Sequence, residues 1–227
     1  RMDNNEVVPE DELKTGIVDY AVYKDLNENG KLDPYEDWTL DVESRTEDLA
    51  AQMSYEEIAG LMLYSSHQRL SSSIPTQAQI AFLANDDLRH VLIAGEVTAE
   101  IAAPWSNTVQ AITERIGLGI PANNSSDPRH SAAIGVEYYS ANTGTISLWP
   151  NSLGLAATFD PELVFEFGKI ASTEYRALGI TTALSPQIDI ATEPRWSRFN
   201  GTFGEDPLLS ADMARAYVQG FQGTFDD

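Results

Sequence analysis

The 227-residue sequence contains no cysteine and few basic residues. Without cysteine there is no disulfide framework and no thiol chemistry, which fits either a cytosolic or a bacterial extracytoplasmic protein, and we favour the second. Lys and Arg number 14 against 35 Asp and Glu, so the formal net charge is −21. Because nucleic-acid affinity depends on basic side chains at phosphates, this balance argues against a nucleic-acid partner and against anionic membranes.

Long apolar runs are also missing from the sequence. No stretch is long enough to cross a bilayer, so we expect no membrane span. The polar N-terminus, RMDNNEVVPEDE, lacks the pattern of a signal peptide. Because 42% of the residues are hydrophobic, the chain has enough apolar side chains for one sizeable core.

The twelve-residue segment DLNENGKLDPYE has the pattern of a calcium loop. Loops of the EF-hand type take oxygen ligands from positions one, three, five, seven, nine and twelve, and have glycine at position six. Gly30 stands at the sixth position. The ligand positions hold Asp25, Asn27, Asn29, Lys31 (through its backbone carbonyl), Asp33 and Glu36. We predict that this loop binds one calcium ion, and the alternative is an ordinary polar Asn/Gly turn.

The segment before the loop, GIVDYAVYKD, alternates apolar and polar residues, as a strand or an extended arm does. A calcium sensor needs a second EF-hand motif and a helix pair that opens on binding, and we find neither in the sequence. We therefore expect a single, structural calcium site in an N-terminal arm over residues 1–40.

Strand and helix patterns alternate along the remainder of the chain. A helical entry region is indicated by a capping box, Ser54 with Glu57. Strands or extended segments are predicted for RHVLIAG, LGIPANNSSD, TISLWPNSLGLAAT and ITTALSPQIDIA. A helix carries Ile101 and Trp105, and Pro104 predicts that its first turn is nearby. Two further helices are predicted to begin at Asp160-Pro161 and Asp206-Pro207, where Asp caps the helix and Pro occupies its first turn.

This alternation predicts an α/β fold built from parallel β/α units. A complete (β/α)₈ barrel needs about 250 residues, and the arm and entry helices occupy much of the first eighty or so. We predict a partial TIM-barrel-like domain over residues 41–227, incomplete at its C-terminus. Since an open parallel sheet leaves an exposed edge, the remaining strands are expected in cis or on a second chain.

Polar side chains cluster at two predicted strand ends, where sites lie in parallel β/α folds. The first cluster is NNSSDPRH, with Asp127 and His130, and the second is DIATEPRWSRFNGTFGED, with Arg195, Trp196 and Arg198. Carboxylates and guanidinium groups suit vicinal hydroxyls, and an indole stacks on a sugar ring. The alternatives are that His130 is a structural histidine, Trp196 a core residue and Arg198 part of a loop-bracing ion pair.

Several segments resemble glycoside hydrolase family 3, the β-glucosidase and exo-glucanase group. The family's signature segment is similar to SPQIDIATEPRWSRFNGTFGEDPLL, and its glucose-holding loop is similar to LGIPANNSSDPRHS. Its central strand–helix unit is similar to WPNSLGLAATFDPELVFEFGKIASTEYRALGI, and some bacterial members have an N-terminal feature similar to YKDLNENGKLDPYEDW. The resemblance covers most of the chain.

The resemblance implies a retaining β-glucosidase that acts on an oligosaccharide or β-glucoside, with a barrel-like first domain followed by an α/β sandwich domain. It implies that Asp127 and Arg195 hold hydroxyls of the terminal sugar, and we add His130 and Trp196 as substrate contacts. The family's Lys-His pair and its Asp-Trp nucleophile segment have no match here, so no catalytic residue is assigned. The alternative is a calcium-stabilised carbohydrate-binding or interaction module without catalysis.

Overall fold

The computed structural model describes residues 16–18, 21–95, 98–132 and 145–223. Within these ranges the helices are α1 (Val42–Gln52), α2 (Tyr55–Leu61), α3 (Gln77–Asn85), α4 (Ala99–Thr113), α5 (Ser152–Ala156), α6 (Pro161–Ala177) and α7 (Pro207–Gln222). The strands are β1 (Gly16–Val18), β2 (Ala21–Tyr23), β3 (Gln68–Arg69), β4 (His90–Ala94), β5 (Asn123–Ser126) and β6 (Thr182–Ala183).

The strands form two sheets. β1 and β2 pair antiparallel with Gly16 opposite Tyr23, whereas the alternating pattern before the loop predicted only a strand or an extended arm. The other four strands lie in the order β3-β4-β5-β6. β3 pairs with β4, and β5 with β6, in parallel. The predicted α/β class with parallel pairing is thus confirmed.

The chain divides into two compact units. The first consists of the residues before Ser66 together with Ile74–His90 and Asn107–Ala122. The second consists of Ser66–Ser73, Val91–Ser106 and the residues from Asn123 onwards, and so contains most of the four-stranded sheet. The predicted boundary at residue 40 is a different division of the chain and stays a prediction.

Local capping chemistry determines where the helices of the second unit begin. The side chain of Asp160 accepts a hydrogen bond from the backbone N–H of Leu163 at the start of α6. Asp206 accepts from Leu208 and Leu209 at the start of α7. Each carboxylate satisfies N–H groups that have no partner within the helix. Both predicted Asp-Pro starts are confirmed, as is the Ser54–Glu57 capping box of α2.

Three sequence-based expectations differ from the structure. The second half of TISLWPNSLGLAAT is helical rather than extended, because Asn151 caps α5 by accepting from the backbone of Gly154. Pro104 lies inside α4 and not in its first turn, so the helix continues although one N–H donor is lost. The strand predicted in ITTALSPQIDIA is limited to β6.

The main core of the second unit lies between α6 and α7. Val164 and Met213 are fully buried there, and the rings of Phe167 and Tyr217 pack against each other at a tilt of 59°. The two helices approach closely at glycines. A Cβ on Gly168 would lie 2.8 Å from the carbonyl oxygen of Tyr217, a distance at which the helices must separate.

Replacing Gly220 by Ala is expected to destabilise the second unit. A Cβ there would come within 3.0 Å of the Cα of Gly168 and closer still to the carbonyl of Phe165. Overpacking of this kind costs roughly 1–3 kcal/mol, which should lower the melting temperature by several degrees. Gly223→Ala is the matched control, because nothing lies within 4 Å of its Cβ position. Equal melting temperatures for the two variants would contradict the close packing.

Candidate sugar-binding cavity

A cavity of about 430 Å³ lies in the second unit. Its volume is in the range that holds small ligands. It is reached from the ends of two strands, because Asp127 follows the last residue of β5 and Leu184 follows the last residue of β6. The polar groups on its wall include Asp127, His130, Asn151, Gln187, Asp189 and Arg198. The cavity thus lies at the C-terminal ends of β5 and β6, and a sugar site there stays a prediction.

Asp127 is held from two directions. Its backbone carbonyl accepts a hydrogen bond of 2.8 Å from the hydroxyl of Tyr175. Burial raises the pKa of Tyr175, so this hydroxyl stays a neutral donor. Its carboxylate Oδ2 lies 3.2 Å from Nε2 of His67, and the Asp127 side chain is 21% exposed. A carboxylate whose backbone is anchored and whose side chain is still reachable suits the binding of hydroxyl groups.

Arg129 ties the loop after β5 to the end of β4. Its guanidinium donates to the carbonyl of Gly95 at 2.8 Å and to that of Ile93 at 3.0 Å, and the residue is 2% exposed. Burial lowers its pKa, while Tyr175 and Asp127 act in the opposite direction. An arginine keeps its charge through such a change, so Arg129 places positive charge at the wall of the cavity, two residues from Asp127.

His130 is braced by Glu174 of α6. Its Nε2 lies 2.7 Å from Oε2 of Glu174, and its side chain is 3% exposed. Glu174 also accepts from the N–H and the hydroxyl of Ser147, and that hydroxyl in turn accepts from the indole of Trp149. Burial lowers the pKa of His130, with the Glu174 carboxylate opposing the shift. His130 lines the cavity, and its predicted sugar contact stays a prediction beside this bracing role.

Arg195 and Trp196 are not among the residues that line the cavity. Arg195 is 88% exposed and pairs with Glu193 through two contacts, of 2.9 Å and 2.7 Å. The guanidinium lowers the pKa of Glu193 to about 2, although an exposed pair contributes little to stability. In the same loop, Arg198 does line the cavity. The structure thus brings Asp127, His130 and Arg198 together and leaves Arg195 outside, where its assigned role stays a prediction.

One sequence signal separates the two arginines. Glu193 lies two positions before Arg195, where a carboxylate and a guanidinium meet within one turn of the loop. Arg198 has Trp196, Ser197, Phe199 and Asn200 as near neighbours and no carboxylate among them. The local partner of Arg195 was therefore predictable from the sequence. The direction of the Arg198 side chain depends instead on how the whole loop folds.

The predicted calcium loop is closed by its own carboxylates. Asp25 accepts from the backbone N–H groups of Asn29 at 3.0 Å and Gly30 at 2.9 Å, and Gly30 has φ +76°. Glu36, which is 8% exposed, accepts from the N–H of Leu26 and from that of Asp33. The loop therefore turns back on itself as the motif requires.

Two side-chain amides in this loop face the same carboxylate. The Nδ2 atoms of Asn27 and Asn29 each lie 2.6 Å from Oδ2 of Asp33. The amide oxygens point instead to backbone N–H groups, those of Asn29 and Lys31. Within the described ranges, no group of three or more His, Asp or Glu side chains is gathered around a common point where a metal could sit. The donor types match calcium, and both amides must rotate to present oxygen.

Comparison with known proteins identifies the family. Residues 68–225 match the model for the glycosyl hydrolase family 3 N terminal domain. The chain belongs to glycosyl hydrolase family 3. It is 44% identical over 215 residues to the periplasmic beta-glucosidase/beta-xylosidase of Dickeya chrysanthemi, covering 90% of this chain and 32% of that protein. It is 38% identical to beta-glucosidase C of Emericella nidulans, with 83% and 31% covered.

Two solved structures illustrate the shared fold. A family 3 beta-N-acetylglucosaminidase from Paenibacillus sp. superposes with a TM-score of 0.65 at 20% identity, covering 75% of this chain and 31% of that one. A beta-glucosidase of intestinal bacteria involved in saponin metabolism gives a TM-score of 0.56 at 27% identity, with 78% and 20% covered. The family 3 chain thus spans about a third of the length of its curated relatives, 32% of the Dickeya protein. None of the helices that the structure describes is both long and apolar enough to cross a membrane.

Proposed function

We propose that this family 3 chain is part of a β-glucosidase-like hydrolase that removes terminal β-linked glucosyl residues from an oligosaccharide or β-glucoside. The observation that carries the proposal is the cavity at the ends of β5 and β6, with Asp127 and Arg198 on its wall. A carboxylate accepts hydrogen bonds from sugar hydroxyls, and a guanidinium donates hydrogen bonds to them. Charge-assisted hydrogen bonds of this kind are stronger than those between neutral groups. The names of the Dickeya and Emericella relatives support a glucoside substrate.

The proposed mechanism is retaining, and this chain supplies part of the sugar site without the nucleophile. Retaining hydrolysis needs two carboxyl groups about 5–5.5 Å apart across the scissile bond. By resemblance to the family, both groups belong to sequence beyond the matched segments. The rest of a barrel and a sandwich domain, in cis or on a second chain, then complete the site. The length of the relatives supports this division, since the chain covers 32% of the Dickeya protein.

The test compares the 227-residue chain with the same chain joined to the downstream sequence that its relatives' length implies, here called the extended protein. The chain alone is expected to show no turnover of an aryl β-glucoside, and the extended protein should cleave it. Proton NMR of the first product formed should show the β-anomer, because a double displacement keeps the configuration. Release of the α-anomer first would rule out the retaining mechanism, and turnover by the chain alone would place the catalytic pair within it.

We also propose a bacterial extracytoplasmic location for the family 3 chain. The absence of cysteine is compatible with that compartment, and the Dickeya relative is named as periplasmic. Fractionation of the native source by osmotic shock tests the location, with a cytoplasmic enzyme as the control.

We propose further that the loop from Asp25 to Glu36 binds one calcium ion. The oxygen-bearing side chains at five of the six ligand positions, the backbone carbonyl of Lys31 at the other and the closed turn at Gly30 support the proposal. An added cation would draw the amide oxygens of Asn27 and Asn29 inward, replacing the hydrogen bonds that both amide nitrogens donate to Asp33. An ion that binds only the folded state stabilises it by mass action. The proposed role of the ion is therefore to stabilise the folded N-terminal arm, with no part in hydrolysis.

Calcium is expected to raise the melting temperature of the chain, and a chelator should remove the gain. Saturation at about a hundred times Kd would add roughly 2.7 kcal/mol. Glu36→Gln removes an anionic oxygen of the last ligand position and should weaken the calcium response. Glu28→Gln is the control, because Glu28 lies in the same loop at a position that supplies no ligand. Identical melting curves with calcium and with chelator would contradict the proposed site.

A further inference from the structure

His67 lies beside the cavity and contacts a residue of its wall, Asp127. Its Nε2 lies 3.2 Å from Oδ2 of Asp127, 60 positions away in the sequence. The imidazole is 60% exposed and does not line the cavity. The other two histidines are engaged elsewhere, since His90 stacks on Tyr64 and His130 pairs with Glu174.

The sheet order explains how His67 reaches Asp127. His67 directly precedes β3, and Asp127 directly follows β5. β3 and β5 lie on either side of β4, so the contact bridges across the end of the central strand. The register brings Gln68 opposite Ile93, and the hydroxyl of Ser126 donates to the carbonyl of Ile93 at 3.1 Å. His67 and Asp127 therefore each directly adjoin a residue that lies beside Ile93 of β4.

We propose that His67 is a positioning residue that fixes the orientation of the Asp127 carboxylate for the sugar. The inference rests on the proposed function of the cavity. Tyr175 anchors the backbone of Asp127, but the last torsion of an aspartate side chain is broad and has no strong preference of its own. A donor at Oδ2 sets that torsion and leaves Oδ1 for a substrate hydroxyl. With a carboxylate as the acceptor, Nε2 of His67 carries the proton.

Pre-orientation has a kinetic consequence. If the carboxylate is already turned towards the hydroxyl, binding does not have to restrict it, and the alignment is retained in the transition state. Loss of His67 should then lower kcat and raise KM together. A residue that only stabilises the fold would change the melting temperature and the amount of active protein, and would leave KM unchanged.

The experiment is a double-mutant cycle in the extended protein with an aryl β-glucoside as the probe. The four proteins are the parent, His67→Ala, Asp127→Asn and the double variant. His67→Ala is expected to lower kcat/KM roughly threefold to tenfold in the parent and to have almost no effect when Asp127 is already Asn, because coupled residues are not additive. Arg215→Ala, which breaks an exposed pair with Asp212 on α7, is the control and should leave the kinetics unchanged.

Two conservative variants sharpen the test. His67→Gln carries a nitrogen at about the place of Nε2 and should restore most of kcat/KM. His67→Asn carries its nitrogen closer to the backbone, at about the place of Nδ1, and should not. Restoration by Gln alone, with all melting temperatures equal, supports positioning through one hydrogen bond.

The outcomes separate this inference from the proposed function. If Asp127→Asn lowers turnover but every His67 variant behaves like the parent, the positioning role is overturned and the sugar site stands. If His67→Ala has the same effect in both backgrounds, His67 acts independently of Asp127 and the inference is again overturned. Parent-like kinetics for Asp127→Asn would overturn both, because the carboxylate would then not hold the sugar.

Discussion

In the extended protein, Asp127→Ala should lower kcat/KM for an aryl β-glucoside by about tenfold to a hundredfold. The variant removes a charge-assisted hydrogen bond to a sugar hydroxyl, which is worth roughly 1.5–3 kcal/mol. The hydroxyl does not react, but its binding energy helps to align the transition state, so kcat should fall as well as affinity. Steady-state kinetics with separate kcat and KM values provide the measurement.

Asp212→Ala serves as the matched control for Asp127. Asp212 is also an aspartate, it is more than half exposed on α7, and it pairs only locally with Arg215. It does not line the cavity, so its loss should leave the kinetics as they are. If both aspartate variants keep parent kinetics and parent melting temperatures, the sugar is not held at this cavity.

The two arginines of the following loop allow an internal comparison. Resemblance to the family assigns the hydroxyl contact to Arg195, whereas the geometry places Arg198 on the cavity wall and Arg195 in an exposed pair with Glu193. We expect Arg198→Ala to reduce turnover strongly and Arg195→Ala to change it little. The opposite result would mean that this loop rearranges when the sugar binds.

Features determined by neighbours in the sequence were predictable. The helices α6 and α7 begin at Asp160 and Asp206, because an Asp-Pro pair caps a helix through bonds that span only two or three residues. Alternation of apolar and polar residues before the calcium motif indicated extended structure there, and the pairing of β1 with β2 adds a contact that the pattern did not predict. The capping box of α3, Thr76 with Gln79, and the Asn151 cap of α5 are signals of the same local kind.

Features determined by tertiary contacts were not predictable. α4 tolerates Pro104 in its interior because Trp105 and Val109, on the same helix, are buried and hold it in place, which propensity does not reveal. The contacts that shape the cavity join residues far apart, such as His67 with Asp127 and His130 with Glu174. No spacing rule links such pairs. The residue types in each loop therefore indicated its chemistry, but the direction of each side chain could not be predicted from the sequence.

The contacts of Glu174 with His130 and Ser147, here called the brace, lead to the largest expected effect on stability. Glu174→Ala removes the acceptor of three donors, which are the imidazole of His130 and the N–H and hydroxyl of Ser147. A buried donor without a partner costs roughly 1–3 kcal/mol, so we expect a loss of about 2–4 kcal/mol. For a domain of this size the melting temperature should fall by roughly 5–15 °C.

Glu166→Ala is the control for this variant, because Glu166 lies on the same helix and its side chain is 58% exposed. It should shift stability by less than about 0.5 kcal/mol. Equal melting temperatures for Glu174→Ala and Glu166→Ala would mean that the brace contributes nothing.

The brace also makes stability depend on pH. Burial lowers the pKa of His130 in the folded state below its ordinary value of about 6.5. At pH values below that figure the unfolded chain binds a proton that the folded chain does not, so the free energy of unfolding decreases as the pH falls towards the folded pKa.

His130→Gln keeps a donor towards Glu174 and removes the titration. Between pH 7 and pH 5 the parent should therefore lose more stability than His130→Gln, as measured by urea unfolding at each pH. Parallel curves for the two proteins would show that His130 takes up its proton equally in both states.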